Sequence, residues 1–185
     1  MNFGSLDITQ ARQPTQAVTV ENPNTRPLTV TGAQATSPFS VTADACQAHP
    51  IAPRGTCAIS VQFTPSALGQ DSQELSVTST GGPAKTTLSG TVYAVVTVTI
   101  TGTGSGSVSD SNAINCPPTC SEQVMAPVTL IPSPGSASYF SAWGGTCPIS
   151  NNQVATLADC TVSADFEQIV PSTTVGGHPL GAAPS

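Results

Sequence analysis

From Cys57 to Phe63 the chain alternates strictly: Cys57, Ile59, Val61 and Phe63 are apolar, while Ala58, Ser60, Gln62 and Thr64 are small or polar. A period of two sends successive side chains to opposite faces of a strand, so this run predicts one buried and one wet face. Upstream, Ala52-Pro53-Arg54-Gly55 places Pro second and Gly fourth, the pattern of a type I turn feeding the strand. Downstream, Pro65 has no N–H to give and ends the ladder. A strand of this kind needs a second apolar layer over it, and the segments before residue 93 read as that layer.

In chain order they are Phe3 to Ile8, Gln16 to Glu21 with Val18 and Val20 inward, Leu28 to Thr31 closed by Gly32, Phe39 to Thr42, Glu74 to Thr78 with Leu75 and Val77 inward, and a strand from Lys85 carrying Leu88. Asn22-Pro23-Asn24 and Gly81-Gly82-Pro83 supply turns. No run here has the three-to-four spacing of a helix. Short strands between turn signals predict a two-sheet sandwich. The order NFGSL, AVTVENPNTRPLTVTG, the Phe39 strand with Cys46, APRGTCAISVQFTPSALGQ, ELSVTST and TTLSGTV resembles the choice-of-anchor D or ASH-like (ASPM, SPD-2, hydin) immunoglobulin-like domain of bacterial surface and secreted proteins. That resemblance implies an immunoglobulin-like β-sandwich over residues 1–93, with no family-wide catalytic residue.

The pattern breaks near residue 93 and restarts with Val95 to Thr101. In Gly102, Gly104 and Gly106 the spacing is not G-x-G-x-x-G and no helix follows, so a hairpin is expected rather than a phosphate cradle. Ile114-Asn115-Cys116, Val128 to Ile131, Tyr139 to Cys147 and Cys160 to Phe166 follow. This series resembles the small β-rich bacterial repeat related to the divergent InlB B-repeat, which implies a second β domain over residues 94–166. The chain departs from that pattern at Val124 to Pro127 and in a longer loop from Cys147 to Cys160. Trp143, the sole Trp, then serves as the core plug of a small sheet rather than a sugar-stacking platform. From residue 167 to 185, Pro, Gly, Ser and Ala dominate, and a flexible tail is expected. The fold class expected is thus all-β.

Two domains of this size have thin cores and need covalent support. Six cysteines are available, and they allow fifteen complete pairings. Nearest-neighbour pairing keeps each bridge local and is the expectation: Cys46 with Cys57, Cys116 with Cys120, Cys147 with Cys160. The rival is zinc held by Cys116, Cys120, Cys147 and Cys160, although a C-x2-C knuckle is missing. Disulfides imply an oxidising compartment, hence an extracellular, cell-surface or periplasmic setting. Met1-Asn2-Phe3-Gly4 has no signal-peptide character, as expected of a piece of a longer protein.

The chain carries four basic residues, Arg12, Arg26, Arg54 and Lys85, scattered among ten acidic ones. No phosphate-tracking patch can be assembled from them, which argues against nucleic acid. No apolar run reaches membrane-spanning length. For catalysis, His49 and His178 lack a partner at a recognisable spacing; Asp71 with Glu74 and Asp165 with Glu167 read as surface charge; Asp110-Ser111-Asn112 reads as a turn rather than a calcium loop. No catalytic residue, cofactor or metal is expected. The function expected is a structural or adhesive module, with a glycan- or protein-binding accessory module as the alternative.

Overall fold

In the computed structural model, which describes residues 1–10 and 13–170, the first half contains β1 (Asn2–Asp7), β2 (Thr15–Glu21), β3 (Val30–Ala35), β4 (Phe39–Asp44), β5 (Thr56–Phe63), β6 (Gly69–Ser79) and β7 (Ala84–Thr101). The alternating run becomes β5, the centre of an antiparallel sheet ordered β2-β5-β4. The other sheet is β3-β6-β7 with β1 parallel to β7 on its far edge. Ile59, Val61 and Phe63 from one sheet meet Leu75, Leu88 and Val92 from the other, and all six are fully buried. Each such side chain stabilises by roughly 1.5–3 kcal/mol relative to exposure. The rings of Phe3, Phe39 and Phe63 cluster at the centre, with Phe39 stacked on Phe63 at 4.6 Å between centroids. The back of Phe63 rests on β7 at Gly90, where an added Cβ would lie 2.4 Å from the ring. Glycine inside a strand here marks a close approach of ring to backbone.

Five expectations differ from the structure. The Ala52–Gly55 turn closes with Gly55 N–H donating to Ala52 O at 2.9 Å, but Arg54 has φ 62°, so it is type II and not type I. Asn22 imposes this: its backbone N–H donates to Gly55 O and its carbonyl accepts from Arg54 N–H, while its fully buried Nδ2 donates to the carbonyls of Arg26, Ile51 and Ala52. A left-handed Arg persists because its surroundings over-determine it. Second, β3 does not close at Gly32 but runs on to Ala35, absorbing a register shift against β6 between Val30 and Gly32.

The third correction is the largest. The strand from Lys85 and the strand from Val95 are one 18-residue element, β7. Its even positions Leu88, Gly90, Val92, Ala94, Val96 and Val98 are buried without a change of phase. The buried cluster of the first half uses Leu88 and Val92; that of the second begins at Ala94.

The second half adds β8 (Gly106–Ser109), β9 (Asn115–Cys116), β10 (Ser121–Val124), β11 (Val128–Thr129), β12 (Ile131–Pro134), β13 (Ser138–Gly145), β14 (Ile149–Ser150), β15 (Gln153–Val154) and β16 (Cys160–Gln168). β10 pairs antiparallel and β16 parallel with the far part of β7, and β13 flanks β16. Small sheets β12-β8-β9 and β11-β15-β14 complete this half. Among the described residues every element is a strand, so the chain is all-β. Phe166 is the central side chain, fully buried, and its ring lies on Gly106, where a Cβ would sit 2.5 Å away.

The glycine-rich segment does not form the expected hairpin, because β8 pairs with β9 and β12 and not with β7. It wraps the end of β16 instead: Gly104 N–H donates to Phe166 O at 2.7 Å, and a Cβ at Gly102 would meet that oxygen at 2.1 Å. Nor does the tail begin at residue 167. Glu167 and Gln168 pair with Tyr139 and Ser138 of β13, and Ile169 N–H donates to Ala137 O. Residues 171–185, the remainder of the expected tail, lie outside the described residues.

Candidate functional site

The residues singled out by sequence are dispersed. Cys46 is joined to Cys57, Cys116 to Cys120 and Cys147 to Cys160, leaving no free thiol and therefore no thiolate for zinc. His49 is exposed on a loop, and His178 lies outside the described residues. Glu74 is exposed and pairs with Lys85 at 2.7 Å. Asp165 and Glu167 accept hydrogen bonds from Thr101 and Thr103 on the outer face of β16. Asp110 Oδ1 accepts from the backbone N–H of Asn112 and of Ile114, both at 2.9 Å, which closes a turn. Trp143 is partly buried against Phe140, 4.8 Å between ring centroids, and its Nε1–H donates to Asn152 at 2.8 Å.

What the fold does bring together lies where the two halves meet on β7. Along one edge of β7, β1 pairs as far as Tyr93 and β16 starts at Val96, so the N–H of Val95 falls in the gap. Asp159 fills it, with Oδ1 accepting from Val95 N–H at 2.6 Å and Oδ2 accepting from Thr9 at 3.2 Å. Thr9 in turn donates to Asp7, and that hydroxyl holds the Asp7 carboxyl below its ordinary pKa. On the opposite edge, β6 pairs through Gly69 with Val92 and β10 begins with Val124 opposite Ala94. Residue 93 therefore has no cross-strand partner on that side.

The result is a notch of about 480 Å³ in the outer face, lined by Ser5, Gln70, Thr91, Tyr93, Gln123 and Met125. Tyr93 is partly exposed, Gln70, Gln123 and Met125 are exposed, and no lining residue carries a charge. Among the described residues, the side chains of Ser5, Gln70, Thr91, Tyr93 and Gln123 form no hydrogen bond with another protein group. By contrast, hydroxyls further along the same face are satisfied: Thr97 pairs with Ser121, Thr99 with Val162 O and Thr101 with Ala164 O. Sequence reading passed over Tyr93, although its place in the outward phase with Thr91 and Val95 was a usable signal.

A second residue was also passed over. Glu122 shares the phase of buried Val124 and so turns its carboxyl inward. Asn112 Nδ2 donates to Oε1, while Oε2 is buried with no partner among the described residues. Burial pushes this carboxyl above its ordinary pKa; the Asn112 hydrogen bond opposes the shift and neighbouring Asp110 adds to it.

Compared with known proteins, residues 1–95 match the family described as HYDIN/CFA65/VesB-like, Ig-like domain. No curated protein matches the chain. Solved structures that resemble part of it include the secreted serine protease VesC from Vibrio cholerae, at 12% identity and TM-score 0.39 over 49% of this chain. The VesB protease of Vibrio cholerae matches at 24% identity and TM-score 0.36 over 48% of this chain. The likeness spans only 22% of the VesC chain and 29% of the VesB chain.

Proposed function

The chain belongs, through residues 1–95, to the HYDIN/CFA65/VesB-like Ig-like domain family, and from that premise we propose that it is a non-catalytic accessory module of a secreted or cell-surface protein. It acts as a stalk or spacer between other parts of that protein. The observation that carries this reading is covalent: all six cysteines are consumed in three short-range disulfides, which persist in oxidising compartments and are rare in the cytosol. A strand common to both halves suits a spacer, since no unpaired linker separates them.

Within this reading, residues 1–93 are a choice-of-anchor D or ASH-like sandwich and residues 94–166 a repeat of the divergent InlB B type. Adhesion to a surface is the finer form of the same proposal. A second reading, a binding accessory module, is favoured by the uncharged notch at Tyr93. Thiol titration in denaturant without reductant tests the main reading, together with a panel of peptide, ester and glycoside substrates. The expected result is no reactive thiol and no turnover; six free thiols, or turnover of any substrate, contradicts it.

A further inference from the structure

The notch at Tyr93 is a break in an otherwise continuous sheet face, and its chemistry narrows what fills it. Two amides, Gln70 and Gln123, line it with the Tyr93 phenol, one from each half, together with the hydroxyls of Ser5 and Thr91. On the register, Gln70 and Ser5 stand on either side of Thr91, and Gln123 stands beside Val95. We propose that this notch binds a neutral carbohydrate chain, seating about one or two pyranose rings against Tyr93. The inference deepens the accessory-module reading and rests on it for its biological setting.

A pyranose offers an apolar C–H face and a rim of hydroxyls that both donate and accept. An aromatic side chain suits the first, and side-chain amides and hydroxyls suit the second because they too carry both donors and acceptors. An anionic ligand has no counter-ion here, since no Lys, Arg or His lines the notch, and the carboxylate beside Tyr93 on the register, Asp7, is outside the lining and already accepts from Thr9. A protein partner is a poorer fit. A stable protein interface buries about 800 Å² on each side around an apolar centre, whereas the exposed apolar contribution here is Met125 alone. The volume, about 480 Å³, falls within the usual span of small-molecule sites. Five of the six lining residues are polar and uncharged, and since the hydroxyls further along the face are already bonded to Ser121 or to backbone carbonyls, these are the side chains with capacity to spare.

The placement also explains why both halves are required. Ser5, Gln70 and Thr91 come from strands of the first half, Gln123 from the end of β10, Met125 from the residue just after it, and Tyr93 from the strand they share. Neither half alone forms the notch.

Affinity electrophoresis of the oxidised chain in gels containing neutral β-glucan, mannan or xylan, with alginate and polygalacturonate as charged controls, tests the proposal. The expected result is retardation by at least one neutral polymer, relieved by its free oligosaccharide, and none by the charged ones. Gln70→Ala and Gln123→Ala are each expected to weaken binding about five- to tenfold, the loss of one hydrogen-bonding amide. Tyr93→Ala is expected to abolish it; should that variant unfold, the two glutamine variants, both exposed, still decide. No retardation by any neutral polymer overturns the proposal, as does retardation indifferent to Gln70 and Gln123. Equal retardation by the charged polymers, or a photo-crosslinker at position 123 capturing polypeptide instead of sugar, overturns it too. None of these outcomes alters the thiol count, so a failed notch leaves the accessory-module reading standing, while free thiols would fail that reading independently.

Discussion

The two ends of β7 solve the same packing problem with different means. At one end Phe63 lies on Gly90; at the other Phe166 lies on Gly106, across from β7. In both, a fully buried phenylalanine ring is pressed onto a glycine, whose missing Cβ lets the ring lie against backbone. The support differs. Phe63 has two further rings, Phe3 and Phe39, and a complete second sheet over it, with one disulfide at the rim. Phe166 has Phe140 at 5.7 Å, two fragmentary three-stranded sheets, and two disulfides. The contrast teaches that where regular strand pairing is short, covalent closure takes over part of the work.

Replacing the two rings in turn puts the largest strain on that comparison. Phe63→Ala and Phe166→Ala are each expected to cost about 3–5 kcal/mol in urea unfolding. A cost for Phe166→Ala well below that of Phe63→Ala would show that the second core closes over the cavity more easily than its complete burial implies.

Removing the bridges sharpens the comparison further. By the chain-entropy estimate, loops of 11 and 13 residues correspond to about 3 kcal/mol each for Cys46–Cys57 and Cys147–Cys160, and the 4-residue loop of Cys116–Cys120 to about 2 kcal/mol. Paired Cys→Ala variants are therefore expected to lower the melting temperature of the second half more in total than that of the first. Equal losses in the two halves would remove the division of labour.

Glu122 supplies the smallest effect, and it concerns the second half only. Its carboxyl is favoured in the protonated form on folding. The stabilisation is therefore complete below the unfolded pKa, near 4.5, and is lost as pH rises through the raised folded value. Glu122→Gln keeps the acceptor for Asn112 and removes the charge. It is expected to melt higher than the parent at pH 7 and to match it at pH 4; a lower melting temperature at pH 7 would mean that the carboxylate is better solvated than its buried Oε2 suggests.

Much of the fold was legible where alternation and turn residues agree. Ile59, Val61 and Phe63 are buried as their phase requires, and so are Leu75, Val77 and Leu88. The continuity of β7 was not read, because the pattern was broken near residue 93 and restarted at Val95; the glycine at position 90 is there for Phe63, and the apolar phase from Leu88 to Val98 runs through it unbroken. The hairpin reading of Gly102 to Gly106 failed for a similar reason: those glycines answer to the Phe166 backbone and ring, which lie some sixty residues away in sequence and leave no local mark. Arg54 gave no sign of its left-handed backbone, since the constraint comes from Asn22. The notch was hidden because it arises from where β6 stops and β10 starts, a property of register and not of any motif.

Amide hydrogen exchange along β7 tests the central claim, that one strand carries both cores, most directly. The account predicts that the amides from Val92 to Val96 are protected to within about tenfold of those at Leu88 and Val98, with Val95 held by Asp159. Fast exchange confined to Tyr93, Ala94 and Val95 would mean two strands joined by a linker, and would contradict it.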